Sequence, residues 1–89
     1  MVIWKYELEI TDKQRILIGD KNAKPLSVGV QDGKLVMWVQ HNGGGVIDGH
    51  TFINVDIIGT GNLYNEVGDF VGTVQMPNGL VWHVFAEVL

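Results

Sequence analysis

The sequence predicts an all-β fold: a small antiparallel sandwich or open barrel of about six to seven short strands. Three observations predict it. Apolar and polar residues alternate with period two in most segments; turn-forming pairs such as Asp32-Gly33 and Asn78-Gly79 separate those segments; and no stretch of ten or more residues has a helical period. At 89 residues there is room for one core, so residues 1–89 form a single domain.

The opening "IWKYELEI" puts Trp4, Tyr6, Leu8 and Ile10 on one face of a strand and Lys5, Glu7 and Glu9 on the other. "TDKQ" breaks it with turn residues, "RILI" is a short second strand, and "GDKNAKP" is a loop. "LSVGVQ" and "KLVMWVQ" flank Asp32-Gly33 as the arms of a tight hairpin. In its second arm Leu35, Met37 and Val39 share one face, and Val36 and Trp38 the other, so both faces are covered. "TFINVDIIGTG" is a further strand that turns Ile53, Val55 and Ile57 one way and Phe52, Asn54, Asp56 and Ile58 the other. After the loop "NLYNEVGD", "FVGTVQM" and "LVWHVFAEVL" form a closing hairpin around "PNG". Gly29, Gly59 and Gly72, inside or ending strands, mark bulges or close backbone packing.

Composition narrows the function. Apolar residues make up 46% of a chain too short to bury them all, so the surplus predicts a subunit interface and a homo-oligomer. The net charge is −4, Arg15 is the sole arginine, and the five lysines are scattered, which argues against a polymeric nucleic-acid partner. No segment reads as a leader or a membrane span, so a soluble intracellular protein without a membrane partner is expected. Without cysteine there is no thiol nucleophile and no thiolate metal site, and the only serine, Ser27, lies mid-strand outside any nucleophile elbow. His41, Asp48 and His50 are spread across a nine-residue gap, which is not a metal-ligand spacing, so neither metal nor cofactor is expected.

Two glycine-rich segments invite a ligand. "HNGGGVIDGH" could cradle an anion in a nest of backbone N–H groups, but it lacks the lysine, hydroxyl and helix of a P-loop; a plain connection is the simpler reading. "IIGTGN" ends a strand with the backbone donors of Gly59, Thr60 and Gly61, a hydroxyl, and the Asn62 amide, a set suited to a phosphate or ribose; a bulge and turn is the competing reading. Lys5 stands on a polar face. His83 stands on an otherwise apolar one, where it is either a hydrogen-bonded core residue or a donor to an anion. Trp38 and Trp82 read as core, or as a stacking surface for a base.

"WKYELEITDKQ", "LSVGVQDGKLVMWV", "IIGTG" and "VGTVQMPNGLVWHVF", in that order and spacing, resemble a family of small phage-encoded proteins of uncharacterised function. The resemblance spans nearly the whole chain and falls on Lys5, Trp38, Gly59, Thr60, Gly61 and His83. Asn62 and Leu63 stand where that family often has histidine and proline. The resemblance implies a phage accessory protein in the cytoplasm of an infected bacterium, one that sequesters a nucleotide signal of host defence such as a cyclic ADP-ribose derivative or a cyclic dinucleotide.

Three functions follow from residues and resemblance together. The first is a non-catalytic, oligomeric binder of a small phosphate-bearing nucleotide, using Lys5 for charge, Gly59 to Asn62 for donors, Trp38 or Tyr64 for stacking, and His83 for a hydrogen bond. The second is a protein-interaction module that blocks a host or phage partner. The third is a small hydrolase that cleaves such a signal, with His83 and an acid as its working pair.

Overall fold

A computed structural model describes residues 1–42 and 47–89, so the triple glycine Gly43 to Gly45 lies outside the described residues. Seven antiparallel strands form two sheets: β1 (Val2–Glu7), β2 (Lys13–Leu17), β3 (Lys24–Gln31), β4 (Lys34–His41), β5 (Phe52–Gly59), β6 (Asp69–Gln75) and β7 (Val81–Val88). One sheet has the order β1-β4-β3 and the other β2-β5-β7-β6. They pack as a sandwich that does not close into a barrel. The shortest extent is 16 Å, which suits two layers about 10 Å apart.

Alternation decides which side chains go between the layers. Leu35, Met37 and Val39 of β4 meet Ile53, Val55 and Ile57 of β5 and Val84 and Ala86 of β7, as their period-two faces predict. Trp82 packs against this core. Trp38 does not: it points outward from β4, half-buried, with its ring 3.0 Å from where a Cβ on Gly29 would sit. That contact explains the glycine in β3. Asp32 and Gly33 take φ values of 53° and 76°, the left-handed pair a two-residue hairpin turn needs.

Most strand ends differ from the sequence reading by one or two residues, and three of the differences have a visible cause. β1 stops at Glu7, because the Gln14 amide takes both backbone groups of Glu9: it accepts from the N–H at 3.1 Å and donates to the carbonyl at 2.8 Å. β2 starts two residues earlier than "RILI", drawn in by the pairing of Lys13 with Asp56. β3 reaches back to Lys24, with Pro25 accommodated at a bulge before Ser27. On one side the sheets meet along β3 and β6, where Gly72 leaves room for Val28; a Cβ there would lie 2.9 Å from its Cγ2.

Candidate functional site

The outer face of the four-stranded sheet carries two adjoining depressions. Since Ile57 and Val84 face the core, Ile58, His83 and Phe85 face out, and the Gly59 to Tyr64 segment folds over them. A depression of about 270 Å3 is lined by Gly59, Thr60, Gly61, Asn62, Tyr64 and His83, together with Ile58, Phe70 and Phe85. Six of the eight residues proposed from sequence therefore converge. A second depression of about 520 Å3 shares Ile58, Gly59, Asn62 and Tyr64 and extends to Asp12, Lys13 and Asp56. The larger lies within the size range of small-molecule sites and the smaller just below it, and both are open to solvent.

Local geometry fixes the lining. Gly61 has φ near 86°, and the Asn62 N–H donates to the Gly59 carbonyl at 3.1 Å, closing a tight turn directly after β5. The Asn62 side chain folds back until its Nδ2 lies 2.8 Å from where a Gly59 Cβ would be. Phe85 sits between two other rings, 5.7 Å from Tyr64 and 5.5 Å from Phe70, the latter edge-on. Tyr64 and Phe70 are each more than half exposed, so their faces are available for stacking.

His83 does not offer a nitrogen to a ligand in this arrangement. Its Nε2 is 2.8 Å from the Thr60 hydroxyl and its Nδ1 is 2.9 Å from the Thr73 hydroxyl. A neutral imidazole has one donor and one acceptor nitrogen, so one threonine accepts from the ring and keeps its own O–H to donate elsewhere. The histidine orients hydroxyls at the rim. In sequence it stands alone among apolar neighbours, because Thr73 comes from β6, through the pair Thr73↔His83.

Lys5 and Trp38 lie elsewhere. They face each other across β1 and β4 on the outer side of the three-stranded sheet, and Lys5 donates to the Gln31 side chain. Neither lines the depressions above. The cations at the four-stranded face are Lys13 and Arg15, which lie on β2 opposite Asp56 and Asn54. Lys13 Nζ is 2.6 Å from Asp56 Oδ1. Arg15 donates to Asn54 Oδ1 at 3.1 Å, and its guanidinium lies 5.8 Å from the centre of the Phe52 ring.

The histidines and acid near the glycine run have separate structural partners. Among the described residues no group of three or more His, Asp or Glu side chains could hold a metal. Asp48 caps its own turn, accepting from the His50 N–H at 2.9 Å, the Thr51 N–H at 2.8 Å and the Thr51 hydroxyl. The Thr51 hydroxyl first, and the His50 N–H next, hold its carboxyl down at about 2. A carboxyl depressed on folding stabilises the native state fully above its unfolded pKa, and this contribution fades as pH falls through the folded value. Melting temperatures of the wild type and Asp48→Asn should thus differ most above about pH 4 and converge towards about pH 2. A constant difference across that range would contradict this assignment.

His41 belongs to a buried cluster that the sequence reading missed. Its Nε2 is 2.8 Å from the Tyr6 hydroxyl and its Nδ1 is 3.7 Å from Asp20 Oδ2, with the Trp4 ring centred 4.7 Å away. Asp20 also accepts from the backbone N–H groups of Asn22 at 2.9 Å and Asn42 at 2.8 Å. Burial, and then the charge of Asp20, raise the Tyr6 phenol above its usual pKa. The cluster ties the 18–23 loop to the ends of β1 and β4.

Among known proteins, the model of a family described as "Domain of unknown function (DUF7352)" matches residues 1–89. No curated protein and no solved structure matches the chain.

Proposed function

The chain belongs to DUF7352, a family whose description carries no activity, and from that premise we propose that it is a non-catalytic binder of a small phosphate-bearing nucleotide. The observation that carries this reading is the convergence of the Gly59 to Asn62 turn, the Thr60–His83 pair and the Tyr64–Phe85–Phe70 rings on one open depression, adjoined by a second that reaches Lys13. The base stacks on Tyr64, the ribose meets the Thr60 hydroxyl and the Asn62 amide, and phosphate reaches Lys13 and Arg15. Lys13 is already paired with Asp56, but only the carboxylate is buried; the lysine is largely exposed, so phosphate approaches its free side and leaves the pair with Asp56 in place. Stacking of one base supplies about 1–3 kcal/mol, and micromolar binding needs about 8 kcal/mol in all, so charge and turn donors must provide most of the remainder.

The setting we propose, resting on the motif resemblance, is an infected bacterial cytoplasm in which the protein sequesters a cyclic ADP-ribose derivative or a cyclic dinucleotide. Calorimetric titration with cyclic di-AMP and with cyclic ADP-ribose tests the reading. Binding should weaken about five- to a hundredfold in Tyr64→Ala, in line with loss of about 1–3 kcal/mol for one stacked base, and should weaken in Arg15→Ala through loss of a charge contact. It should persist in Lys5→Ala, and the nucleotide should be recovered intact by mass spectrometry. Cleavage would move the assignment to a hydrolase. No binding of either nucleotide would favour the second reading, a protein-interaction surface, for which the full exposure of Leu63 beside exposed Tyr64 and Phe70 is the supporting observation.

A further inference from the structure

β1 is an edge strand whose first three residues, Val2, Ile3 and Trp4, carry none of the devices that usually protect an edge; its charges, Lys5 and Glu7, come only in its second half. The two sheets have four edges: β1, β3, β2 and β6. β3 carries Pro25 and a bulge, and β6 carries a bulge between Phe70 and Gly72; these two edges also lie against each other. β2 presents Lys13 and Arg15. β1 has no proline and no bulge, pairs with β4 in unbroken register from Val2 to Glu7, and exposes Val2, Ile3 and Trp4 by 42%, 55% and 38%.

The direction of its unused hydrogen bonds follows from one contact. The Leu8 N–H donates to the Leu35 carbonyl at 2.9 Å, and Leu8 continues the register in which Glu7 faces Val36. Even-numbered residues of β1 therefore bond towards β4, and Ile3, Lys5 and Glu7 turn their N–H and C=O to the free side. A two-fold axis through this edge can be centred on Ile3, Trp4, Lys5 or Tyr6, and centring on Ile3 gives the shortest overlap, residues 1 to 5, leaving Tyr6 and Glu7 outside the pairing. Centring on Lys5 sets Lys5 against Lys5 of the second copy, a like-charge pair. Centring on Tyr6 sets Ile3 against Glu9 of the second copy, whose backbone groups Gln14 already occupies. Centring on Trp4 meets neither obstacle. It exchanges hydrogen bonds between Ile3 and Lys5, and sets Trp4 on Trp4 and Val2 on Tyr6, covering the exposed apolar side chains.

We infer that β1 binds β1 of a second copy of this chain, antiparallel about Trp4, to make one continuous six-stranded sheet. This goes beyond the nucleotide reading and is independent of it, because the proposed depression lies on the other sheet.

The absence of cysteine makes a direct test possible. Residues facing each other at a non-hydrogen-bonded antiparallel position have Cα atoms about 4.5 Å apart, within the range a disulfide spans. Trp4→Cys should therefore form a covalent dimer under mild oxidation, and Lys34→Cys, away from this edge, should not. By sedimentation, the wild type should be dimeric at micromolar concentrations. Ile3→Pro should weaken the dimer at least tenfold while the monomer stays folded, because the Ile3 N–H makes no bond within the chain's own sheet. Ile3→Lys, which opposes two lysines across the axis, should weaken it likewise and serves if the proline variant fails to fold. A monomeric wild type would overturn the inference. So would a dimer that persists in Ile3→Lys and yields no Trp4→Cys crosslink.

Discussion

Replacing Gly68 with alanine should destabilise the protein by about 3 kcal/mol, at the upper end of what overpacking costs. A Cβ at this position would stand 2.4 Å from the Ala86 carbonyl oxygen, 2.6 Å from its carbon and 2.7 Å from the Glu87 Cβ. Two of these atoms are strand backbone, so no rotamer change relieves the overlap. Asp69↔Ala86 is the first pair of the β6–β7 ladder, and the clash therefore falls where that ladder begins. Chemical denaturation of Gly68→Ala beside Asn65→Ala measures the effect. The second variant, exposed in the same loop, should change stability by no more than about 0.5 kcal/mol. A loss below about 1 kcal/mol in Gly68→Ala would mean that the loop enters β6 differently.

Asp20→Ala should have a comparable effect, again about 3 kcal/mol, by a different route. The carboxylate is 7% exposed and accepts from the Asn22 and Asn42 N–H groups, so its removal strands two backbone donors beside His41. Each stranded donor costs about 1–3 kcal/mol. For a domain of this size that lowers the melting temperature by roughly 12–24 °C, at about 4–8 °C per kcal/mol. Asp20→Asn retains an acceptor and should lose less. It also removes the charge that helps to raise the Tyr6 phenol, so Tyr6 should ionise at lower pH than in the wild type, yet remain raised by burial. Unchanged melting in Asp20→Ala would show that the loop is held by other contacts.

Most of the fold was legible because period-two alternation and the turn pairs are local signals. Asp32-Gly33 and the core-facing parity of Ile53, Val55 and Ile57 needed nothing beyond neighbouring residues. Parity, however, says which side of a strand a residue takes, and not which sheet the strand joins. Lys5 on β1 and His83 on β7 are expected from sequence to serve one ligand, yet they lie on opposite sheets. The same gap hides Lys13, which follows turn residues in sequence and belongs to β2 only through its pairing with Asp56, 43 positions away. The Gly59 to Asn62 turn, Tyr64 and His83 were found together because they lie at the end of one strand and on its direct neighbour. The Tyr6–His41–Asp20 cluster left no local trace, because its members come from a strand, a strand end and a loop that meet only after folding.

The order of strands in the two sheets also bears on how the chain reaches them. Only β3–β4 and β6–β7 join strands next to each other in sequence; β1–β4, β2–β5 and β5–β7 bring together segments far apart along the chain. Closing such loops costs entropy before any contact repays it, so this topology belongs with the slow folders, in the millisecond-to-second range. β1, whose free edge is the least protected in the finished molecule, finds its place only after β4 exists to receive it. Until then an apolar strand is unpaired on both sides, which makes that interval the one in which a nascent chain is most open to pairing with the wrong neighbour.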